Sequence, residues 1–317
     1  MFVPRFHGVL PMRLVFLGSG AFGLPTLRSL DSRHDLLAVV SQPDRPAGRA
    51  RRNTPTPVSE WAMAESKSLI RPENVNDVDV VEEIRGLQPD ALVVIAFGQK
   101  IGEPLLEKIP AFNLHASLLP AYRGAAPINR AMIDGCTETG VSVIELAQRM
   151  DAGDVHATRT LAIDPLETAG ELHDRLAELG PEAVESVLEA LASGESRGVV
   201  QDEASVSQAP KLSRAESSVD FEESASRIRD RIHGLTPWPG CDIDLDGQRL
   251  RVLRVAVTEG GDEPVTPGTL LPEHRIACGE GALELLEVQP IGKRPMTFKA
   301  YLNGRRLEPG VLARRHG

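Results

Sequence analysis

The sequence has few aromatic residues, few cysteines and no long apolar run. Aromatic residues make up 4% of the 317 residues, which disfavours recognition of a nucleic acid mainly by stacking of its bases on side chains. No window approaches about 18 consecutive apolar residues, so we expect no transmembrane span and no membrane partner. The three cysteines, Cys136, Cys241 and Cys278, are widely spaced and form neither a metal motif nor a disulfide framework. We therefore expect a cytoplasmic protein without a bound metal.

The first twelve residues, MFVPRFHGVLPM, lack the continuous apolar core and the cleavage site of a signal peptide. We expect residues 1–11 to form an unstructured leader, and Met12 is an alternative start. No obvious stripe of apolar residues predicts self-association, so we expect a monomer.

Charge is unevenly spread along the chain. The formal net charge is −10, which argues against a general coating of nucleic acid. Residues 291–317 nevertheless carry seven lysines and arginines against one glutamate, and residues 45–59 carry four arginines and no acid. Two basic patches on an acidic protein indicate a localised anionic partner, and a plain solvated surface is the alternative.

The first 200 residues alternate between short apolar segments and helical patterns. This alternation predicts a doubly wound α/β sheet with helices on both faces, and it includes a long helix over Ala169–Leu191. Serine and polar residues then dominate, so we place a linker at 201–220 between a domain at 12–200 and a second at 221–317. In the second domain a helix over Ser224–Leu235 precedes short alternating segments separated by turns, which predict a small OB-like β-barrel.

The segment Gly18-Ser19-Gly20-Ala21-Phe22-Gly23 follows a predicted strand and precedes a predicted helix. It matches the glycine-rich fingerprint of dinucleotide-binding domains. The alternative is a tight strand-to-helix turn in which only glycine fits the backbone. The pattern alone does not separate the two.

Asn113 and His115 stand two residues apart at the end of a predicted strand, so both side chains lie on one face. An asparagine can donate a hydrogen bond to a developing oxyanion, and a histidine can move a proton near neutral pH. Asp151, in a second polar stretch, could orient the histidine and stabilise its charge. Such a set suits acyl transfer to an amine without a metal or a covalent intermediate, while structural roles remain open for each residue taken singly.

The segments NLHASLLPAYRGAAPINRAMIDG, TETGV and MDAGDV resemble the formyltransferase family that uses 10-formyltetrahydrofolate. The resemblance runs from Arg13 to about Leu312. It includes APKLS, PWP and QPIGKRPM in the second half, and SQPDRPAGRARRNTPTPV resembles the arginine-containing loop of the branch that acts on tRNA. It implies a Rossmann-like sheet with a glycine-rich turn that binds no dinucleotide. It also implies formyl transfer from 10-formyltetrahydrofolate to the α-amine of methionine on initiator methionyl-tRNA, as needed for translation initiation.

The same resemblance implies roles for individual residues. Asn113, His115 and Asp151 fall on the catalytic positions of the family. Tetrahydrofolate would be bound by the segment made of Ser117, Leu118, Leu119 and Pro120. The acceptor end of tRNA would be contacted by the loop that carries Arg45, Arg49, Arg51 and Arg52, and tRNA phosphates by the basic C-terminal segment, which includes Lys293 and Arg294.

Other functions stay open at this point. A formyltransferase acting on an amino sugar nucleotide shares much of the central motif, and Tyr122-Arg123-Gly124 fits that branch equally well. The arginine-rich loop and the C-terminal motifs distinguish the two. A hydrolase would use water in place of the amine. The interpretation as an NAD(P)-dependent oxidoreductase depends on the glycine-rich loop alone. A non-catalytic RNA-binding module would not need the asparagine, histidine and aspartate.

Overall fold

The structure is a computed structural model. It describes residues 10–47, 52–260, 265–303, 305 and 307–316. Most of the predicted leader, 1–11, therefore lies outside the described residues. The chain forms two compact units. The first contains the residues up to Arg123 together with Gly140–Thr160 and Asp174–Ser207, and the second contains Gly124–Thr139, Leu161–His173 and the chain from Gln208 onward. The domain limits 12–200 and 221–317 stay a proposal.

Strands and helices alternate over the first 210 residues. The strands are β1 (Arg13–Gly18), β2 (Asp35–Val40), β3 (Arg45–Ala47), β4 (Arg52–Thr54), β5 (Leu69–Ile70), β6 (Ala91–Ile95), β7 (Ala111–His115), β8 (Arg123–Gly124), β9 (Glu138–Glu145), β10 (Val155–Ala162) and β11 (Gln208–Ala209). The helices are α1 (Leu24–Arg33), α2 (Pro57–Ala64), α3 (Val78–Gly86), α4 (Glu103–Leu106), α5 (Pro127–Ile133), α6 (Ala169–Ala177) and α7 (Gly180–Ala192).

Seven of these strands form one sheet in the order β10-β9-β7-β6-β1-β2-β5. The five neighbouring strands β7, β6, β1, β2 and β5 pair in parallel. Strand β9 is antiparallel to β7. From β1 the chain moves outward through β2 and β5, and it then crosses to β6 on the other side of β1. This reversal is the topological switch point of Rossmann-like sheets, where ligands bind beyond the carboxyl ends of the strands. The predicted Rossmann-like α/β fold is confirmed.

The apolar runs of the sequence explain the central strands. All five residues of β6 are buried, as are the last five of β1, and parallel strands need such runs because both faces of the sheet are covered. The helices begin at residues that suit a first turn. Pro25 lies in the first turn of α1, where its missing N–H would have no helical partner. Thr56 caps α2 by accepting a hydrogen bond from the backbone N–H of Ser59 at 3.0 Å.

The long helix expected over Ala169–Leu191 is instead two helices, α6 and α7. Pro181 is one cause, because proline removes a helical N–H and clashes with the preceding turn. Gly180, the first residue of α7, allows close packing, because a Cβ there would lie 2.8 Å from Leu114 Cδ2. Strand β10 is not among the predicted strands, because its residues are half-buried or exposed and carry no continuous apolar run.

The second unit contains an antiparallel sheet that curls into a half-barrel, in the order β14-β15-β13-β12-β17, with β16 paired to β15. Its elements beyond residue 220 are helices α8 (Ala225–Gly234) and α9 (Phe298–Leu302) and strands β12 (Cys241–Leu245), β13 (Gln248–Thr258), β14 (Arg275–Ala277), β15 (Ala282–Pro290), β16 (Met296–Thr297) and β17 (Arg314–Arg315). The predicted smaller β domain of barrel type after the α/β sheet agrees with this architecture. Among the described residues, no helix is long and apolar enough to cross a membrane.

Candidate active site

The candidate site begins at the carboxyl end of β7. Asn113 lies between Val94 of β6 and Ile144 of β9, and His115 is the last residue of the strand. Because side chains alternate along a strand, Asn113 and His115 share one face, as the sequence predicts. The Asn113 side chain is half-buried and makes no hydrogen bond to any residue that the structure describes. Its amide is therefore available to a ligand.

His115 is 6% exposed, and contacts on both ring nitrogens hold it. Its Nε2 atom lies 2.9 Å from the backbone carbonyl oxygen of Tyr122. A carbonyl can only accept a hydrogen bond, so Nε2 carries the hydrogen and donates it. The other nitrogen, Nδ1, lies 3.6 Å from Oδ2 of Asp151. Nδ1, which carries no hydrogen in the neutral ring, therefore faces a carboxylate oxygen.

Asp151 reaches His115 from the loop between β9 and β10. Its backbone lies in the left-handed region, with φ of 52°, which is uncommon for a residue other than glycine. The loop is anchored by the backbone N–H of Glu145, which donates to the carbonyl oxygen of Asp154 at 3.0 Å. A Cβ at Gly153 would collide with the carbonyl oxygen of Glu145, so only glycine allows this close approach.

The segment from Ser117 to Pro120 follows β7 directly. Ser142 of β9 fixes its backbone, because Ser142 Oγ donates to the carbonyl oxygen of Ser117 at 2.8 Å and accepts from the N–H of Leu119 at 3.1 Å. Leu118 and Pro120 are half-buried. They follow His115 by three and five residues, and apolar surface with a few polar groups is typical of sites for flat ring systems.

The glycine-rich loop after β1 is occupied by contacts to β6. The N–H groups of Ser19 and Gly20 both donate to the carbonyl oxygen of Ala96, at 3.2 and 3.3 Å. A Cβ at Gly18 would lie 2.8 Å from the carbonyl oxygen of Ile95. The glycines thus permit close packing of the turn, and these two amides are not free to hold a phosphate, which weighs against the dinucleotide interpretation.

Two of the predicted tRNA-binding arginines, Arg45 and Arg52, lie on the paired strands β3 and β4. Arg45 and Arg52 are exposed, and Arg45 pairs with Glu73 at 2.6 Å. Arg49 and Arg51 lie outside the described residues. Lys293 and Arg294 are exposed in the turn between β15 and β16. These positions place the basic side chains in solvent, where an anionic partner could reach them.

A buried polar group that supports the Asp151 loop is not among the predicted site residues. Arg123 is 3% and Gln201 7% exposed, and their side chains are hydrogen-bonded to each other. The signal available in the sequence was weak, because Gln201 stands in a polar stretch that reads as a linker. Arg123 also bonds to Glu203, and hydrogen bonds from Arg149 and Arg123 hold the pKa of Glu203 below its ordinary range.

Within the described part of the chain, no group of three or more histidine, cysteine, aspartate or glutamate side chains is arranged to hold a metal ion. What the site offers is an amide, an imidazole and a carboxylate beside apolar surface. That set can stabilise negative charge on a carbonyl oxygen and transfer a proton.

Two models of known protein families match this chain. The formyl transferase model matches residues 12–188, and the model of the formyl transferase C-terminal domain matches residues 211–306. The first match alone spans more than half of the chain, and it defines the class of the protein as a formyl transferase.

The relatives narrow this class. The methionyl-tRNA formyltransferase of Geobacter metallireducens is 40% identical over 309 residues, covering 95% of this chain and 98% of that protein. The chain belongs to the methionyl-tRNA formyltransferase family.

Solved structures show the same fold at low identity. HypX from Aquifex aeolicus in complex with tetrahydrofolic acid has a TM-score of 0.63 at 17% identity, covering 95% of this chain and 51% of that one. This chain thus spans about half the length of HypX. An N-formyltransferase from Helicobacter canadensis in complex with folinic acid and dTDP-3-aminofucose has a TM-score of 0.63 at 14% identity, covering 86% of this chain and 99% of that one.

Proposed function

We propose that the protein transfers the formyl group of 10-formyltetrahydrofolate to the α-amine of methionine on initiator methionyl-tRNA. The observation that carries this proposal is the pairing of His115 with Asp151 beside the unengaged amide of Asn113. The identity of 40% to a methionyl-tRNA formyltransferase over nearly the full length supports the choice of acceptor.

The folate supplies a formyl group attached to nitrogen, and the side chains of the site act on its transfer. The Asn113 amide donates a hydrogen bond to the formyl oxygen as negative charge develops there. One donor of this kind typically contributes about 3–4 kcal/mol to the transition state. The methionine amine forms the new bond to carbon, and the bond from that carbon to the folate nitrogen breaks.

His115 transfers the proton from the amine to the folate nitrogen. Its Nδ1 takes the proton that the attacking amine loses, and the neighbouring Asp151 carboxylate stabilises the imidazolium that results. The proton then passes to the folate nitrogen as it leaves. General acid–base assistance of this kind contributes roughly 10²–10⁴-fold to the rate.

The remaining predicted residues have binding roles in this proposal. The segment Ser117, Leu118, Leu119 and Pro120 holds the folate against its half-buried apolar surface. Arg45, Arg49, Arg51 and Arg52 contact the acceptor end of the tRNA, and Lys293 and Arg294 contact its phosphates. Because the substrate belongs to translation, we place the protein in the cytoplasm, and a monomer is the proposed form.

An amino sugar nucleotide is the alternative acceptor. The protein from Helicobacter canadensis was solved with such a molecule, but at 14% identity it shares the fold alone with this chain. The basic hairpin and the basic turn favour a larger anionic partner than a sugar nucleotide.

The test is formyl transfer with purified protein, 10-formyltetrahydrofolate and methionine-charged initiator tRNA, with formyl-methionine identified by mass spectrometry after release from the RNA. Uncharged tRNA is the control for acceptor chemistry, and Asn113→Ala is the control for the site. We expect formyl-methionine only with charged tRNA, at a rate lowered about 10²–10³-fold in the variant. Folate consumption without formyl-methionine would overturn the proposed acceptor.

A further inference from the structure

Gln201 connects the Asp151 loop to a buried arginine. Its Nε2 donates to the carbonyl oxygen of Asp151 at 2.8 Å and to that of Gly153 at 2.7 Å. Its Oε1 accepts from Nε and Nη2 of Arg123 at 3.0 and 2.8 Å. The guanidinium can only donate and the carbonyls can only accept, so the orientation of the amide is fixed by its partners. Every hydrogen-bonding group of this buried side chain is used.

Gln201 supports a loop with an uncommon backbone conformation. Asp151 lies in the left-handed region, which aspartate tolerates better than most residues with a Cβ but which remains uncommon. Its side chain must nevertheless face Nδ1 of His115. Gln201 binds the carbonyl groups on both sides of Ala152, and it therefore restrains the backbone that aims the carboxylate.

Arg123 is itself held in place. Its Nη1 and Nη2 donate to Oε1 of Glu203 at 3.1 and 3.0 Å, and Arg149 contacts the same carboxylate. Arg123 also directly follows Tyr122, whose carbonyl oxygen accepts from His115. One hydrogen-bonded network, buried at Arg123 and Gln201, thus reaches the backbone next to His115 and Asp151.

We propose that Gln201 is a positioning residue for formyl transfer, which holds the Asp151 carboxylate against His115 by restraining the carbonyl groups of Asp151 and Gly153. This inference rests on the proposed function of the site. A positioning residue should affect the rate of the chemical step more than substrate binding, because errors of about 1 Å in the placement of a catalytic group cost up to about a hundredfold in rate.

Two substitutions separate the contacts of Gln201. Gln201→Glu keeps the shape and the contact to Arg123 but cannot donate to the two carbonyls when ionised. Gln201→Met keeps similar volume and loses both sets of bonds. The matched control is Asn129→Asp, which also converts an amide to a carboxylate and removes donation to a backbone carbonyl, that of Gly234.

The experiment measures kcat, KM for both substrates, folate affinity and Tm for all variants. We expect kcat to fall about ten- to hundredfold in both Gln201 variants, with each KM and the folate Kd within about threefold of wild type. We expect Asn129→Asp to keep kcat. Wild-type kcat in either Gln201 variant would overturn the proposal, as would a loss of folate affinity that matches the loss of kcat.

If Gln201→Glu does not fold, Arg123→Lys provides the test. Lysine keeps the charge but cannot make both of the arginine's contacts to Oε1 of Gln201. We therefore expect a three- to tenfold loss of kcat. An unchanged kcat would contradict the proposal. Failure of the proposed function is distinct, because it appears in the wild-type protein as an absence of transfer to methionyl-tRNA. The same variants would then be measured with the acceptor that the wild type uses.

Discussion

Nδ1 of His115 faces Oδ2 of Asp151 across 3.6 Å, while Nε2 of the same ring donates to a backbone carbonyl. This arrangement gives the two nitrogens different tasks. Nε2 orients the ring, and in the proposed function Nδ1 exchanges the proton next to the Asp151 carboxylate. The proposed proton transfer therefore depends on the charge of Asp151 as well as on its shape.

Asp151→Asn should lower kcat by roughly 10²-fold or more, because the amide keeps the shape but cannot stabilise the imidazolium. KM for the folate should change little, since Asp151 is not assigned to folate binding. Asp35→Asn, an exposed carboxylate at the start of β2, is the matched control and should keep kcat. Steady-state formylation assays on the purified variants make the comparison, and normal turnover of Asp151→Asn would refute the role.

Ser142→Ala should weaken folate binding several-fold and lower the free energy of unfolding by about 1–3 kcal/mol. The substitution leaves the buried N–H of Leu119 without its acceptor and frees the segment that follows β7. Equilibrium titration with folate and urea denaturation provide the two values. Ser186→Ala, which removes a hydroxyl bonded to its own helix, is the control. Equal folate affinity for Ser142→Ala and wild type would count against the proposed folate segment.

Replacing Lys293 and Arg294 with alanine should weaken tRNA binding and reduce its dependence on salt. Each phosphate contact that is lost should lower the slope of log K against log salt by about 1. The affinity is measured by filter binding over a series of salt concentrations. Lys108→Ala removes an exposed charge elsewhere and should leave the slope unchanged. A double variant with the wild-type slope would show that the β15–β16 turn does not contact the tRNA backbone.

The protein should lose stability as the pH falls from about 6.5 to about 4. Burial lowers the pKa of His233 to about 4. In the folded protein, Nε2 of the neutral ring accepts a hydrogen bond from the backbone N–H of Val255. In that range the unfolded chain binds a proton that the folded protein does not, so the free energy of unfolding decreases with falling pH, by about 3 kcal/mol in total.

Urea denaturation at several pH values measures this loss. His233→Gln should flatten the dependence between pH 6.5 and 4 relative to wild type. His274→Gln changes an exposed histidine and should keep the wild-type dependence. Parallel curves for wild type and His233→Gln would contradict the assignment.

The sequence predicts the parts of the fold that depend on local patterns. The apolar runs of β1 and β6 identify central strands, and the two-residue spacing of Asn113 and His115 puts them on one face. The runs do not reveal β10, because its residues are half-buried or exposed and form no continuous apolar run. Pro181 divides the predicted long helix. The close approach of Gly180 to Leu114 depends on the tertiary fold.

The candidate site shows the same limit. Nothing local connects His115 with Asp151, which lies 36 residues further along, and the resemblance to a family supplied that connection. Gln201 lies 50 residues beyond Asp151 in a polar stretch. Its role is visible only when the two carbonyls and the guanidinium of Arg123 are seen around its amide.

The most direct test of the central proposal is the ratio of kcat/KM for methionyl-tRNA to kcat/KM for an amino sugar nucleotide such as dTDP-3-aminofucose, with the same enzyme preparation and formyl donor. The proposed function predicts a preference of at least about a thousandfold for the charged tRNA, because the sugar nucleotide cannot engage the basic hairpin and turn. Equal values, or a preference for the sugar nucleotide, would contradict it.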